Sequence, residues 1–128
     1  MKVLIADDSD AIVKRLVSAL WAIDGLEIVG RAATVGETER AIRSLRPDAV
    51  VLDLHMPGGH SIEILDGLRR DGLTPVVIVL TNYDQPQVRR KCLEKGARYF
   101  LDKSTDFDMV GEVLSTLMRY SESAKEQQ

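Results

Sequence analysis

Apolar and polar residues alternate in blocks along this chain. Five short apolar runs, at about residues 2–6, 26–33, 49–53, 76–80 and 98–101, each precede a longer stretch whose apolar residues recur at helical spacing. Runs of four to eight aliphatic residues bounded by turn signals read as buried strands, and the spaced stretches read as amphipathic helices. The first helix covers about residues 10–23, with Ile12, Leu16, Ala19, Leu20 and Ile23 on one side and Gly25 as its stop. A second runs to Leu45, where Arg46-Pro47 closes it because the residue before a proline disfavours helix. The third follows the turn Met56-Pro57-Gly58-Gly59, carries Ile62, Ile64, Leu65 and Leu68, and ends at Gly72. The fourth covers about residues 85–95, with Pro86 in its first turn and Gly96 as terminator. The last starts near Asp106 as N-cap, buries Phe107, Val110, Val113, Leu114 and Leu117, and gives way to a polar tail over residues 121–128. Strands alternating with helices predict an α/β fold with a parallel sheet.

Each strand bar the second ends on a polar group. Asp7 and Asp8 follow the first run, Asp53 the third, Thr81 the fourth, and Lys103 stands just past the fifth. In open parallel sheets ligands bind outside the carboxyl ends of the strands, so these groups are expected to converge. Two carboxylates about 4 Å apart repel by roughly 4 kcal/mol at an effective dielectric of 20, and a cation relieves this. Hard oxygen ligands favour Mg²⁺, with the Lys103 ammonium completing the charge balance. A structural alternative gives Asp7 or Asp8 the task of capping the first helix, which is compatible with metal binding.

Composition narrows the class. With 128 residues, 45% hydrophobic and 29% charged, the chain fits one domain with a continuous core. A net charge of −3 and a pI near 5.4 give no support for direct nucleic-acid binding through a basic surface. The lone Cys92 excludes an internal disulfide and reads as a buried helix residue. Neither a signal peptide nor a membrane span is visible, so a cytoplasmic location is the expectation.

Four segments together, Ile5-Ala6-Asp7-Asp8-Ser9, Leu52-Asp53-Leu54-His55-Met56-Pro57, Leu80-Thr81-Asn82 and Gly96-Ala97-Arg98-Tyr99-Phe100-Leu101-Asp102-Lys103, resemble the signature segments of the receiver domain of two-component response regulators. The likeness implies a three-layer, flavodoxin-like (βα)5 fold with strand order 2-1-3-4-5, a receiver over residues 1–120 and a tail over 121–128. It implies that Asp53 accepts a phosphoryl group from a sensor histidine kinase or a histidine phosphotransfer protein. It further implies that Asp8, Asp53 and the His55 backbone carbonyl hold Mg²⁺ directly, with Asp7 acting mainly through a metal-bound water, and that Thr81 and Lys103 bind the phosphoryl oxygens. Phe100 maps to the strand-five aromatic that turns inward when the face made by helix four, strand five and helix five switches, while Tyr99 points to the opposite side. The chain would then act on a downstream protein target or a separate effector domain, or through a phosphorylation-dependent homodimer.

Departures from the pattern carry expectations of their own. Receivers usually place a proline, with a cis peptide bond, directly after the lysine. Here the pair is Lys103-Ser104, so a cis bond is stored there at about 2.5–4 kcal/mol or the loop is arranged differently. Asn82 stands where Ala or Gly is usual and would narrow access to the site. Ser61 stands where a glycine is common and is expected to cap the third helix, with Gly58 and Gly59 supplying the missing freedom. His55 and Tyr83 occupy the positions that tune phosphoaspartate hydrolysis, and their bulk predicts a long phosphorylated lifetime. Two other readings compete: a receiver-like module that binds partners without phosphorylation, and a haloacid-dehalogenase-type phosphatase, whose Asp-x-Asp start Asp8-Ser9-Asp10 imitates.

Overall fold

A computed structural model describes residues 1–82 and 85–126, with side chains described to residue 120. Ten elements alternate: β1 (Lys2–Ala6), α1 (Asp10–Leu20), β2 (Glu27–Ala32), α2 (Val35–Leu45), β3 (Ala49–Leu52), α3 (Ile62–Arg70), β4 (Val76–Thr81), α4 (Pro86–Glu94), β5 (Tyr99–Asp102) and α5 (Met109–Glu126). The five strands form one parallel sheet in the order β2-β1-β3-β4-β5. This is the flavodoxin-like arrangement, and its strand order reverses between β1 and β3.

Side-chain alternation along the strands splits the core in two. Leu4, Ala6, Val50, Leu52, Val77, Val79 and Phe100 face one side, where α2, α3 and α4 cover them with Ile42, Leu65 and Cys92 among others. Val3, Ile5, Val51, Ile78, Leu80 and Leu101 face the other, covered by α1 and α5 through Leu16, Leu20, Val110 and Leu114. Tyr99 packs on this second side, opposite Phe100, as the two-residue period requires. Cys92 is fully buried, and burial pushes its thiol above the usual range, which makes it an inert core residue.

Helix boundaries follow local hydrogen bonding. Ser9, rather than Asp7 or Asp8, caps α1: its Oγ accepts from the Ile12 N–H at 3.3 Å, while Asp7 Oδ1 accepts from the Ser9 N–H at 2.8 Å. The helix ends at Leu20, earlier than the apolar spacing predicts, and the chain turns through Gly25 at φ +85° into β2. Thr34 caps α2 by accepting from the Glu37 N–H at 3.1 Å, and Glu37 reaches back to the Ala33 N–H at 2.8 Å. Arg46 closes α2 in the left-handed region at φ 47°, just before Pro47.

Two expected caps are corrected. Ser61 precedes α3 in helical backbone geometry and makes no capping bond; its buried Oγ has no hydrogen-bond partner. Capping needs extended backbone at that position, and Ser61 does not adopt it. Asp106 does not start α5, which begins at Met109; its carboxylate is drawn back to the Asp102 N–H instead. At the other end α5 continues past the expected tail boundary to Glu126, because Ser121-Glu122-Ser123-Ala124-Lys125-Glu126 contains no helix breaker.

Candidate functional site

The carboxyl edge of the sheet is built by backbone bonds that lock each strand end to its neighbour. The Asp7 N–H donates to the Ala32 carbonyl at 2.9 Å, the Asp53 N–H to Ala6 at 2.8 Å, and the Lys103 N–H to Thr81 at 3.0 Å. Asp7, Asp53 and Thr81 are buried, with Asp53 only 3% exposed, whereas Asp8 is exposed. One carboxylate oxygen from each of Asp7, Asp8 and Asp53 lies within 4.8 Å of the others. The expected convergence of the acids is therefore present.

Lys103 reaches into this cluster. Its Nζ lies 2.9 Å from Asp7 Oδ2 and 3.2 Å from Asp53 Oδ2. The other Asp53 oxygen, Oδ1, accepts from the His55 N–H at 3.1 Å. Burial raises the Asp53 carboxyl above its ordinary range; the His55 N–H and Lys103 pull it down and the Asp7 charge pushes it up, with the net shift upward. Burial works against the Lys103 ammonium, but the hydrogen bond to Asp7 and the charges of Asp53 and Asp7 outweigh it and hold its pKa above the usual lysine value.

Three hard carboxylates, two of them buried, suit a divalent cation such as Mg²⁺, and Asp8 at the rim leaves an open side. The expected ligands Asp7, Asp8 and Asp53 are together, and the His55 backbone lies two residues beyond Asp53, its N–H on Asp53 Oδ1. The His55 side chain is exposed, as is Asn82 at the end of β4, while Tyr83 lies outside the described residues. Phe100 is buried in the core on the α4 side. Gly58 and Gly59 hold positive φ, at 93° and 137°, so the β3–α3 loop uses the freedom expected of them.

Of the two arrangements expected for the loop after Lys103, the structure has the one without a cis bond. No peptide bond among the described residues is cis, and the loop is held by side chains. Asp102 Oδ1 accepts from the Ser104 N–H at 2.7 Å, from the Ser104 hydroxyl and from the Thr105 N–H at 3.3 Å. Arg31 was invisible to pattern reasoning. From β2 its Nε donates to the Asp7 carbonyl at 3.2 Å and its Nη1 pairs with Asp10 Oδ1 at 2.6 Å, tying down the loop that carries the acids. No local signal marks such a contact, because its partners are 21 and 24 residues away.

Comparison with known proteins agrees with this geometry. The family model for the response regulator receiver domain matches residues 3–115. The chain is 34% identical over 106 residues to the uncharacterized transcriptional regulatory protein YhcZ of Bacillus subtilis, covering 83% of this chain and 50% of that protein. It is 31% identical over 103 residues to the response regulator GacA of Pseudomonas syringae, covering 80% and 48%. It thus spans about half the length of these curated relatives. Among solved structures, the CheX–CheY complex with beryllofluoride and magnesium from Borrelia burgdorferi contains a chain that superposes with a TM-score of 0.83 at 28% identity, over 92% of this chain and 89% of that one.

Proposed function

Because this chain belongs to the response regulator receiver family of two-component systems, we propose that Asp53 accepts a phosphoryl group from the phosphohistidine of a sensor kinase or histidine phosphotransfer protein. The observation that carries the reading is the buried Asp53 carboxylate, in contact with Lys103 and clustered with Asp7 and Asp8. In the transfer, an Asp53 oxygen attacks phosphorus in line as the phosphorus–nitrogen bond breaks. The bond's electron pair stays with the imidazole, which leaves neutral because its other ring nitrogen carries a proton, and an acyl phosphate forms on Asp53.

Residues of this chain divide the work. The His55 N–H fixes Asp53 Oδ1 and leaves the carboxylate aligned, which lowers the entropic part of the barrier. The Lys103 ammonium neutralises charge on the transferring oxygens, and Thr81 hydrogen-bonds one of them once transfer is complete. Asp7, Asp8, Asp53 and the His55 carbonyl would hold Mg²⁺, which when bound supplies further charge neutralisation and draws the acids together. The new acyl phosphate then makes contacts available in only one conformation and shifts the face formed by α4, β5 and α5, read by a protein target, an attached effector domain or a second copy. With a phenylalanine at position 100, that shift works through packing alone.

Intact mass after incubation with acetyl phosphate tests this. We expect one added phosphoryl group, dependent on Mg²⁺ and lost in Asp53→Ala. A folded protein that gains nothing, with a histidine kinase donor also failing, would leave a binding module that works without phosphorylation; turnover of a free phosphate ester would point to a phosphatase.

A further inference from the structure

Lys103 can stabilise a phosphoryl group only if its long, flexible side chain is aimed at Asp7 and Asp53, and the residues on either side of it are tied by two carboxylates. Asp102 reaches forward: its Oδ1 takes the N–H of Ser104, the hydroxyl of Ser104 and the N–H of Thr105. Asp106 reaches back: its Oδ2 accepts from the Asp102 N–H at 3.0 Å, and its own N–H donates to the Asp102 carbonyl at 2.8 Å. Among the described residues β5 is an edge strand that pairs with β4 alone, and on its outer side the Asp106 carboxylate accepts from the Asp102 N–H nearest the site. The Lys103 N–H is fixed separately to the Thr81 carbonyl.

We propose that Asp102 and Asp106 are positioning residues, a carboxylate brace that holds Lys103 on the phosphoacceptor in place of the proline that Ser104 replaces. This rests on the reading of Asp53 as phosphoacceptor only for its consequence, not for its geometry. A side chain accepting from the backbone two and three residues ahead restricts the loop as a proline does, by removing alternative backbone states. The brace has a cost in specificity of sign: Lys103 and a divalent cation share the Asp7 and Asp53 carboxylates, so releasing Lys103 weakens transfer without weakening cation binding.

The test uses Asp102→Ala, Asp102→Ala/Ser104→Pro, Lys103→Ala and Asp102→Ala/Lys103→Ala. Three quantities are read: the acetyl phosphate transfer rate at saturating Mg²⁺, the Mg²⁺ affinity by calorimetry, and the Lys103 ammonium ¹⁵N signal, which is observable while the ion pair protects it from exchange. Asp102→Ala is expected to lower the rate roughly 10- to 100-fold, the scale for a misplaced charged group, to leave Mg²⁺ affinity equal or tighter, and to erase the ammonium signal. Ser104→Pro in that background is expected to restore rate and signal, and Asp102→Ala should add no loss once Lys103 is alanine. An unchanged ammonium signal, a loss of Mg²⁺ affinity parallel to the rate, or an equal loss in the Lys103→Ala background would overturn the brace. If wild type takes no phosphoryl group at all, the phosphoacceptor reading fails while the ammonium signal still decides the brace. Should Asp102→Ala not fold, Asp106→Ala, which removes only the bond to the Asp102 N–H, is read in the same way.

Discussion

Asp53 carries a tension that can be measured. Its carboxyl is raised above the ordinary value by burial, so the native state holds a proton there more tightly than the unfolded chain does. The sign follows: without metal, stability falls as pH rises through the folded-state value of Asp53, and at neutral pH the ionised group is a net cost. Asp53→Asn, which keeps the shape and drops the charge, should therefore stabilise the metal-free protein by roughly 1 kcal/mol, about 4 °C in midpoint, and flatten the fall in stability between mildly acidic and neutral pH. Thermal unfolding across that range checks both. Lys103 works in the opposite direction, its raised value making its contribution complete below the ordinary lysine range and lost only as strongly alkaline pH passes the folded-state value. Lys103→Ala is expected to cut the rate of phosphoryl transfer about 10²- to 10³-fold, as removal of one preorganised donor does elsewhere, measured by single-turnover phosphorylation. His55→Ala should shorten the phosphorylated lifetime, because the exposed side chain one residue beyond Leu54 no longer screens the site; a lifetime equal to wild type would remove His55 from any tuning role.

At the level of elements, the Thr34 hydroxyl that accepts from the Glu37 N–H, beside the Glu37 carboxylate that accepts from the Ala33 N–H, predicts that Thr34→Ala costs about 1 kcal/mol of global stability, read by denaturant titration. Leu114→Ala, which empties a fully buried position between α5 and the sheet, should cost about 2–5 kcal/mol in the same assay. The strands with the longest aliphatic runs were legible in sequence because both of their faces are buried: Val3 to Ala6, Ala49 to Leu52 and Val76 to Leu80 each contribute to both halves of the core. What sequence patterning misplaced were ends set by side chains reaching across turns. Asp106 looks like a cap for α5, yet its carboxylate accepts from the Asp102 N–H on the edge strand instead. Ser61 looks like a cap for α3, yet its backbone is already helical. The strand-end acids were legible because a charge directly after a buried strand has few structural reasons to be there; the Arg31 tie and the Asp102 brace were not, since nothing in the spacing distinguishes them from solvated charges.

For the molecule as a whole, the site is a spring held by a lysine and awaiting a cation. Three acids gathered at a topological switch point repel one another, and Lys103 relieves only Asp7 and Asp53. Mg²⁺ should therefore stabilise the entire domain, by about 2.7 kcal/mol at a concentration 100 times its dissociation constant, and Asp53→Asn should lose most of that gain while starting from a higher midpoint. The central claim concerns one atom group, so it is best tested where the phosphoryl group lands. Reduction of the phosphorylated protein with borohydride converts an aspartyl phosphate to homoserine, and peptide mapping locates it. Homoserine at position 53 alone is the predicted result; homoserine at Asp7 or Asp8, or none in a protein that had gained a phosphoryl group, would contradict the account.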